Sequence, residues 1–446
     1  MRHCMEEVIP VKKRSYRTIA IQDVKVDDVV AVLGAEHRAM LAIDIAKEKM
    51  VFGIASSSGE TLKLVRFEHP RQTREFLGVV DGLKQAGVEL DIVMEATGSY
   101  GDVLCYQMTT RGLAVHFVDP KRCHDASMVF DGVPSQHDPK ACTILAQLHA
   151  RGLSKRYRSR GDDEKRARSL VDRQRLLARP LRQLVGTLEG LVATYWPELM
   201  AHIDLSARTR WPLELLATYP GPAAVAADEE GARVLLRRVT RGAMRAARIA
   251  EIVAASRHSL GVPVEPAVEQ LVQTTVRTML HLREEIAKVE KEADAFVAEE
   301  AAAGVKHVAR MIGTMSALAV FADAGDPTAY KAPAALQKAL GLNLRERSSG
   351  EHKGKLHITK RGSARARQYL YFAAMRFVRD DAVVRAWFAK RCVGGTKVRA
   401  LVAVMRKLVL ALPHVARGKP FDSKKLFDVR RLDLAAPTHD EVAMAN

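Results

Sequence analysis

Apolar positions fall into a regular order from about residue 37. MLAIDIA (40–46), MVFGIASS (50–57) and TLKLVRFEH (61–69) are runs of strand length joined by short polar connections. Runs of that length bounded by turn residues predict β-strands. The segment 70–86 predicts a helix and VELDIVMEAT (88–97) a buried strand. A further helix leads to a strand at AVHFVDP (114–120), and helical segments follow over about 121–129 and 138–151. Three strands in a meander, then alternating helices and strands, is the order expected of a ribonuclease-H-like α/β fold. Residues 1–36 read as a mixed N-terminal extension.

From about 155 to 305 the pattern becomes helical, punctuated by Pro212, Pro220, Pro222, Pro263 and Pro266. Between 272 and 296, Val272, Met279, Ile286 and Ala293 share one heptad position, and Thr275, Leu282, Val289 and Phe296 share the other. This spacing predicts a coiled coil joining chains, although an internal bundle has the same signature. HVARMIGTMSALAVFADAGDP then reads as helix, tight turn at Gly313, helix. Such a hairpin either offers backbone amides to a DNA phosphate or is an ordinary helical pair. The expected organisation is an extension (1–36), an α/β domain (37–152), a helical coiled-coil region (153–304) and a mainly helical basic domain (305–446).

Composition adds a direction to this outline. The chain has 446 residues, 48% of them hydrophobic, enough for several cores and too many for general disorder. Its net charge is +18, and from Lys331 onward 25 Lys and Arg stand against 9 Asp and Glu. Charge so segregated points to a polyanion at the C-terminal quarter, because counterion release drives such contacts. The five cysteines (Cys4, Cys105, Cys123, Cys142, Cys392) have no paired spacing, which suggests free thiols in a reducing compartment. No apolar run reaches the roughly 20 residues that span a bilayer, and MRHCMEEVIPVKK lacks the apolar core of a secretory signal. A cytoplasmic protein without a membrane partner is expected.

Two groups of residues carry candidate chemistry. Asp44 sits within an otherwise apolar strand, where a charge is costly unless paired or metal-bound. Glu95 ends the strand DIVMEATG, and Asp138 opens a helix. In a ribonuclease-H-like sheet the first and fourth strands are neighbours and a late helix crosses their ends, so the three acids can converge. Such oxygen ligands suit Mg²⁺, with Mn²⁺ as the alternative ion, and two ions can stabilise both oxygens of a phosphodiester displacement. The ordinary alternatives are a helix N-cap for Asp138 and a surface pair for Glu95. The second group is GLNLRERSSGEHKGKLHITKRGSARARQYL (341–370), a basic loop running into a helix. Ser349 lies before Gly350, with Arg345, Arg347, Lys353, Lys355, Lys360, Arg361, Arg365 and Arg367 around it in sequence. Cations of this kind can hold a phosphate for an attacking hydroxyl; equally, Ser348 and Ser349 can bind phosphate without reacting.

These residues resemble the Piv/MooV invertases and the related insertion-sequence transposases, which have a RuvC-like DEDD domain. AIDIAK, MEATGSY and SQHDPKACTILAQL are similar to the successive acidic motifs; ARMIGTMSALAVFADAGDP, LGLNLRERSSG and ITKRGSARARQYL are similar to the C-terminal transposase domain. The likeness runs from about 38 to 430. It implies that Asp44, Glu95 and Asp138 bind Mg²⁺ and that Ser349 is the nucleophile forming a phosphoserine ester with DNA. It also implies donor and target DNA as partners, a structured guide RNA, and a homo-oligomer, dimer or tetramer, held by the coiled coil. One departure stands out. The family has a second Asp three residues after the first, on the same helical face, and this chain has Ala141 there, with His137 and Asp131 nearby but at other positions. A natural three-acid variant, a decayed copy and a deliberately inactivated form all fit that substitution.

Overall fold

The computed structural model describes residues 16–432 except 97, 131–136, 207–208, 347–353 and 355. Two compact units divide near residue 159.

The first unit is built on one mixed sheet. Its strands are β1 (Ile19–Ala20), β2 (Arg38–Asp44), β3 (Lys49–Ala55), β4 (Thr61–Glu68), β5 (Glu89–Glu95), β6 (Ala114–Val118) and β7 (Lys155–Arg156), in the spatial order β1-β4-β3-β2-β5-β6-β7. The meander β2–β3–β4 is antiparallel, whereas β5 and β6 run parallel to β2. The fold is compatible with the RuvC-like expectation. Helices α1 (Val26–Leu33), α2 (Thr73–Gln85), α3 (Asp102–Thr110), α4 (Pro120–Ser127) and α5 (Asp138–Ala150) complete the unit.

Alternation along the strands separates two apolar layers. Leu41, Ile43, Phe52, Ile54, Ile92 and Met94 pack on one face with Phe76, Val80 and Leu83 of α2. Met40, Ala42 and Val93 pack on the other with Cys142, Leu145 and Ala146 of α5. A Cβ at Gly53 would meet the Cβ of Cys142 at 3.3 Å, so glycine there lets α5 lie close to the sheet. The expected extension is only partly one. Ile19 and Ala20 pair with Val65 and Arg66 at the sheet edge, and Val29 and Leu33 are buried in the α2-side core, so residues from 19 onward belong to the domain.

The second unit is mainly helical: α6 (Asp162–Tyr195), α7 (Trp211–Thr218), α8 (Pro222–Ala227), α9 (Glu229–Val239), α10 (Ala246–Arg257), α11 (Pro266–Glu299), α12 (Ala303–Ile312), α13 (Thr314–Ala324), α14 (Pro333–Ala339), α15 (Ala364–Asp380), α16 (Ala382–Cys392), α17 (Lys397–Ala416) and α18 (Ser423–Leu426). Helices α6 and α11 run antiparallel, as the ion pairs Arg166–Glu300 and Arg173–Glu292 require. The heptad seam is therefore used inside the chain. Val272 and Met279 join a core with Leu188, Val192 and Trp196, while Val289, Ala293 and Phe296 join another with Ala167, Leu170 and the helices beyond 305. Residue 305 consequently falls within a continuous core and is no domain boundary. The hairpin α12–α13 turns at Gly313 with φ +83°, a conformation that favours glycine.

Candidate active site

Parallel pairing of β2 with β5 sets the acid geometry. Ile43 lies opposite Met94, so Asp44 and Glu95 follow side by side at the carboxyl ends of adjacent strands. Asp138 begins α5, but it is His137 that caps the helix, its Nδ1 accepting from the Lys140 N–H at 3.3 Å. The capping role open to Asp138 is thus filled by its neighbour. Asp44, Glu95, Asp138 and Ala141 all line one cavity of about 300 Å³, together with Cys123, His124, His137 and Lys140.

The electrostatics of this cavity favour a cation. Burial, then the charges of Asp138 and Glu95, push the Asp44 carboxyl up to about 7. Burial also raises Glu95; a hydrogen bond from the Cys123 thiol acts against that shift, and the charge of Asp119 adds to it. The Cys123 thiol is pushed up to about 12, first by burial and then by Glu95, so it remains a neutral donor to that carboxylate. Burial is the first cause of both shifts, and neighbouring acids add to each. An all-carboxylate donor set of this kind fits a hard divalent ion. The acids nevertheless stand wider than a one-ion cage: among the described residues, the one trio whose ligand atoms lie within 4.8 Å of one another is Asp91, His116 and His149.

Cys123, His124 and Lys140 were not singled out from sequence. Lys140 is 1% exposed, and its place two residues after Asp138 in the first turn of α5 was the available signal. Asp119, expected within the strand AVHFVDP, is instead the N-cap of α4.

The basic expectations divide. Strands β8 (Leu344–Arg345) and β9 (His357–Ile358) form an antiparallel pair with Arg345 opposite His357. Thr359 donates to Asn343 Oδ1 at 2.6 Å just below it. Ser348 and Ser349, with Arg347, Lys353 and Lys355, lie outside the described residues. Arg345, Lys360 and Arg361 are exposed. Arg365 departs from its expected role as a phosphate contact: it is buried and bonded to Asp323 and Asp172. Arg367 departs similarly, its Nη1 donating to the carbonyls of Leu340 and Gly362. Residues two apart lie about 200° apart around a helix, so Arg365 and Arg367 flank opposite edges of the α15 core face and each guanidinium finds its partners at its own edge.

The structure adds a basic cleft of about 510 Å³. Arg175, Arg179 and Arg182 line it from one face of α6, and Tyr369, Phe372 and Arg376 from α15. Arg376 donates to the Ile312 carbonyl at 2.5 Å and so secures the Gly313 turn.

An acid-bearing α/β unit thus precedes a mainly helical unit that carries the αα-hairpin. Two family models match in that order: a DEDD transposase model over residues 41–197, and one described as Transposase IS116/IS110/IS902 family over residues 310–389. The chain belongs to the IS110/IS116/IS902 transposase family, which supports a DNA transposase or recombinase function. Comparison with curated proteins gives no match. Among the described residues, no helix is long and apolar enough to cross a membrane.

Proposed function

We propose that this protein is a site-specific transposase that cuts and rejoins DNA through Ser349, assisted by Mg²⁺ held at Asp44, Glu95 and Asp138. The observation that carries the reading is the gathering of those three acids in one cavity at the carboxyl ends of β2 and β5. When bound there, a divalent cation supplies charge stabilisation to phosphodiester oxygens.

In the serine step the Ser349 hydroxyl attacks phosphorus. A bond from Oγ to phosphorus forms, the bond to one deoxyribose oxygen breaks, and the serine proton passes by way of a base to that leaving oxygen. The reverse attack by a hydroxyl of the incoming strand rejoins DNA and restores the serine, so the cycle needs no external energy source. In this reading Arg345, Lys360 and Arg361, exposed around the β8–β9 stem, neutralise phosphate charge. Arg175, Arg179 and Arg182 offer a second track, spaced at i, i+4 and i+7 on α6. A structured RNA guide and an oligomeric assembly belong to this proposal on the strength of the family likeness.

Ala141 favours a second reading: a nucleic-acid-binding assembly factor with impaired catalysis, since the cavity wall at 141 carries a methyl group. A metal-dependent nuclease using water is the remaining enzyme alternative. Incubation with Mg²⁺ and DNA carrying the element ends, plus RNA transcribed from the flanking segment, followed by a denaturing gel, separates the three. The proposal expects a covalent protein–DNA band that Ser349→Ala abolishes and Ser348→Ala preserves. Free cleaved ends that persist in Ser349→Ala mark the nuclease. Binding without cleavage, even in Ala141→Asp, marks the assembly factor.

A further inference from the structure

We propose that Asp91, His116 and His149 form a zinc site that ties the C-terminal end of α5 to β5 and β6. The three side chains come from three different elements and converge below α5, on the sheet face that also carries the acid cavity. His116 Nε2 lies 3.4 Å from Asp91 Oδ1, and His149 Nε2 lies 3.7 Å from Asp91 Oδ2. The two imidazole rings meet edge to face at 4.5 Å between centroids, and one ligand atom from each residue fits within a 4.8 Å span. Donors about 2.0–2.1 Å from a tetrahedral Zn²⁺ are roughly 3.3 Å apart. The contacts to Asp91 are already near that separation, and small side-chain rotations bring the imidazole nitrogens to it.

Two of the three ligands also have the supporting hydrogen bonds that metal ligands use. His149 Nδ1 shares a 2.7 Å hydrogen bond with Ser154 Oγ, which leaves Nε2 as the coordinating atom. Arg38 donates to Asp91 Oδ2 at 3.0 Å and fixes the carboxylate. Its charge opposes a cation, so the site is weaker than a four-cysteine one. The side chains of Asp91, His116 and His149 are 11%, 18% and 11% exposed. An ion has an entry route, and water can fill the fourth position.

The placement gives such an ion a purpose. Strand β5 carries Asp91 near one end and Glu95 at the other; α5 carries Asp138 at its start and His149 near its end. Zinc would pin together the two elements that bring two of the cavity acids into register. It acts as a brace and takes no part in the reaction.

The test uses full-length protein stripped with chelator and titrated with Zn²⁺ by calorimetry, then with Co²⁺ by visible absorption. With excess Mg²⁺ present to occupy the acid cavity, one equivalent of zinc is expected, with Asp44→Asn/Glu95→Gln retaining it and His149→Ala and His116→Gln each weakening it at least tenfold. Co²⁺ should give the intense visible bands of a tetrahedral nitrogen and oxygen site without thiolate charge transfer. Zinc that disappears with the Asp44/Glu95 pair, or that binds both histidine variants as tightly as the parent, overturns the proposal. Should the histidine variants fail to fold, the cobalt spectrum of the parent decides: a weak octahedral spectrum or a thiolate band overturns it.

Discussion

Asp44→Asn should make the metal-free protein more stable while destroying its metal response. Asp44 is half-buried beside Asp138 and Glu95, and its carboxyl is raised from 3.8 to about 7. A raised acid pKa means that the folded state holds its proton more tightly than the unfolded chain. Between about pH 4 and 7 the unfolded state therefore binds fewer protons, and stability falls as pH rises. The full interval corresponds to about 4 kcal/mol at 1.36 kcal/mol per pH unit, and partial exposure reduces this to roughly 2–4 kcal/mol. Asparagine is close in shape and has no charge to desolvate. In thermal denaturation at pH 8 with EDTA, the Asp44→Asn transition should lie on the order of 5–10 °C above the parent for a domain of this size. The gap should narrow toward pH 4, and Mg²⁺ should raise the parent's transition and leave the variant's unmoved. A variant less stable than the parent at pH 8 without metal, or a parent whose stability is flat from pH 4 to 8, would refute the cluster electrostatics described above.

Ala141→Asp should show the converse: lower stability without metal, a larger Mg²⁺-induced rise in Tm, and more strand cleavage; equal cleavage by both forms rejects the missing-ligand account. Asp323→Ala should destabilise the second unit by about 2–3 kcal/mol in urea unfolding, because it leaves the buried Arg365 guanidinium with only the more exposed Asp172 as a charge partner. Burial alone would raise the Asp323 carboxyl, but hydrogen bonds from Arg365 and Ser363 and the charges of Arg365 and Arg168 hold it below its ordinary value. Its contribution is therefore present above about pH 4 and lost as pH falls through the lowered folded value, an acid sensitivity that Asp323→Asn should remove. Arg175→Glu/Arg179→Glu should weaken DNA binding and lower the slope of log K against log salt by about two; an unchanged slope dismisses the α6 track.

The first unit was legible in the sequence because its signals are local. Strand-length apolar runs set the meander, and Asp44 stood out as a charge in an apolar strand. The same criterion applied to Asp91 in VELDIVMEAT, yet that residue passed unnoticed because its partners His116 and His149 are distant in sequence and join it only through β6 and α5. The α11 heptads were visible, but periodicity says only that a seam is covered; here α6 covers much of it within the chain. Arg365 and Arg367 read as phosphate contacts because charge counting is blind to helix phase. Burial on α15 spends one on Asp323 and the other on backbone carbonyls.

Peptide mapping of the trapped protein–DNA complex tests the central claim most directly. Parent and Ala141→Asp proteins are incubated with Mg²⁺, guide RNA and element-end DNA, digested with nuclease and trypsin, and the nucleotide-bearing peptide is fragmented in the mass spectrometer. Cleavage after Arg347 and Lys353 releases SSGEHK, and the account predicts a nucleotide phosphate on Ser349 within it. A nucleotide on Ser348 or on any other residue, or DNA cleaved without an adduct in either form, contradicts it.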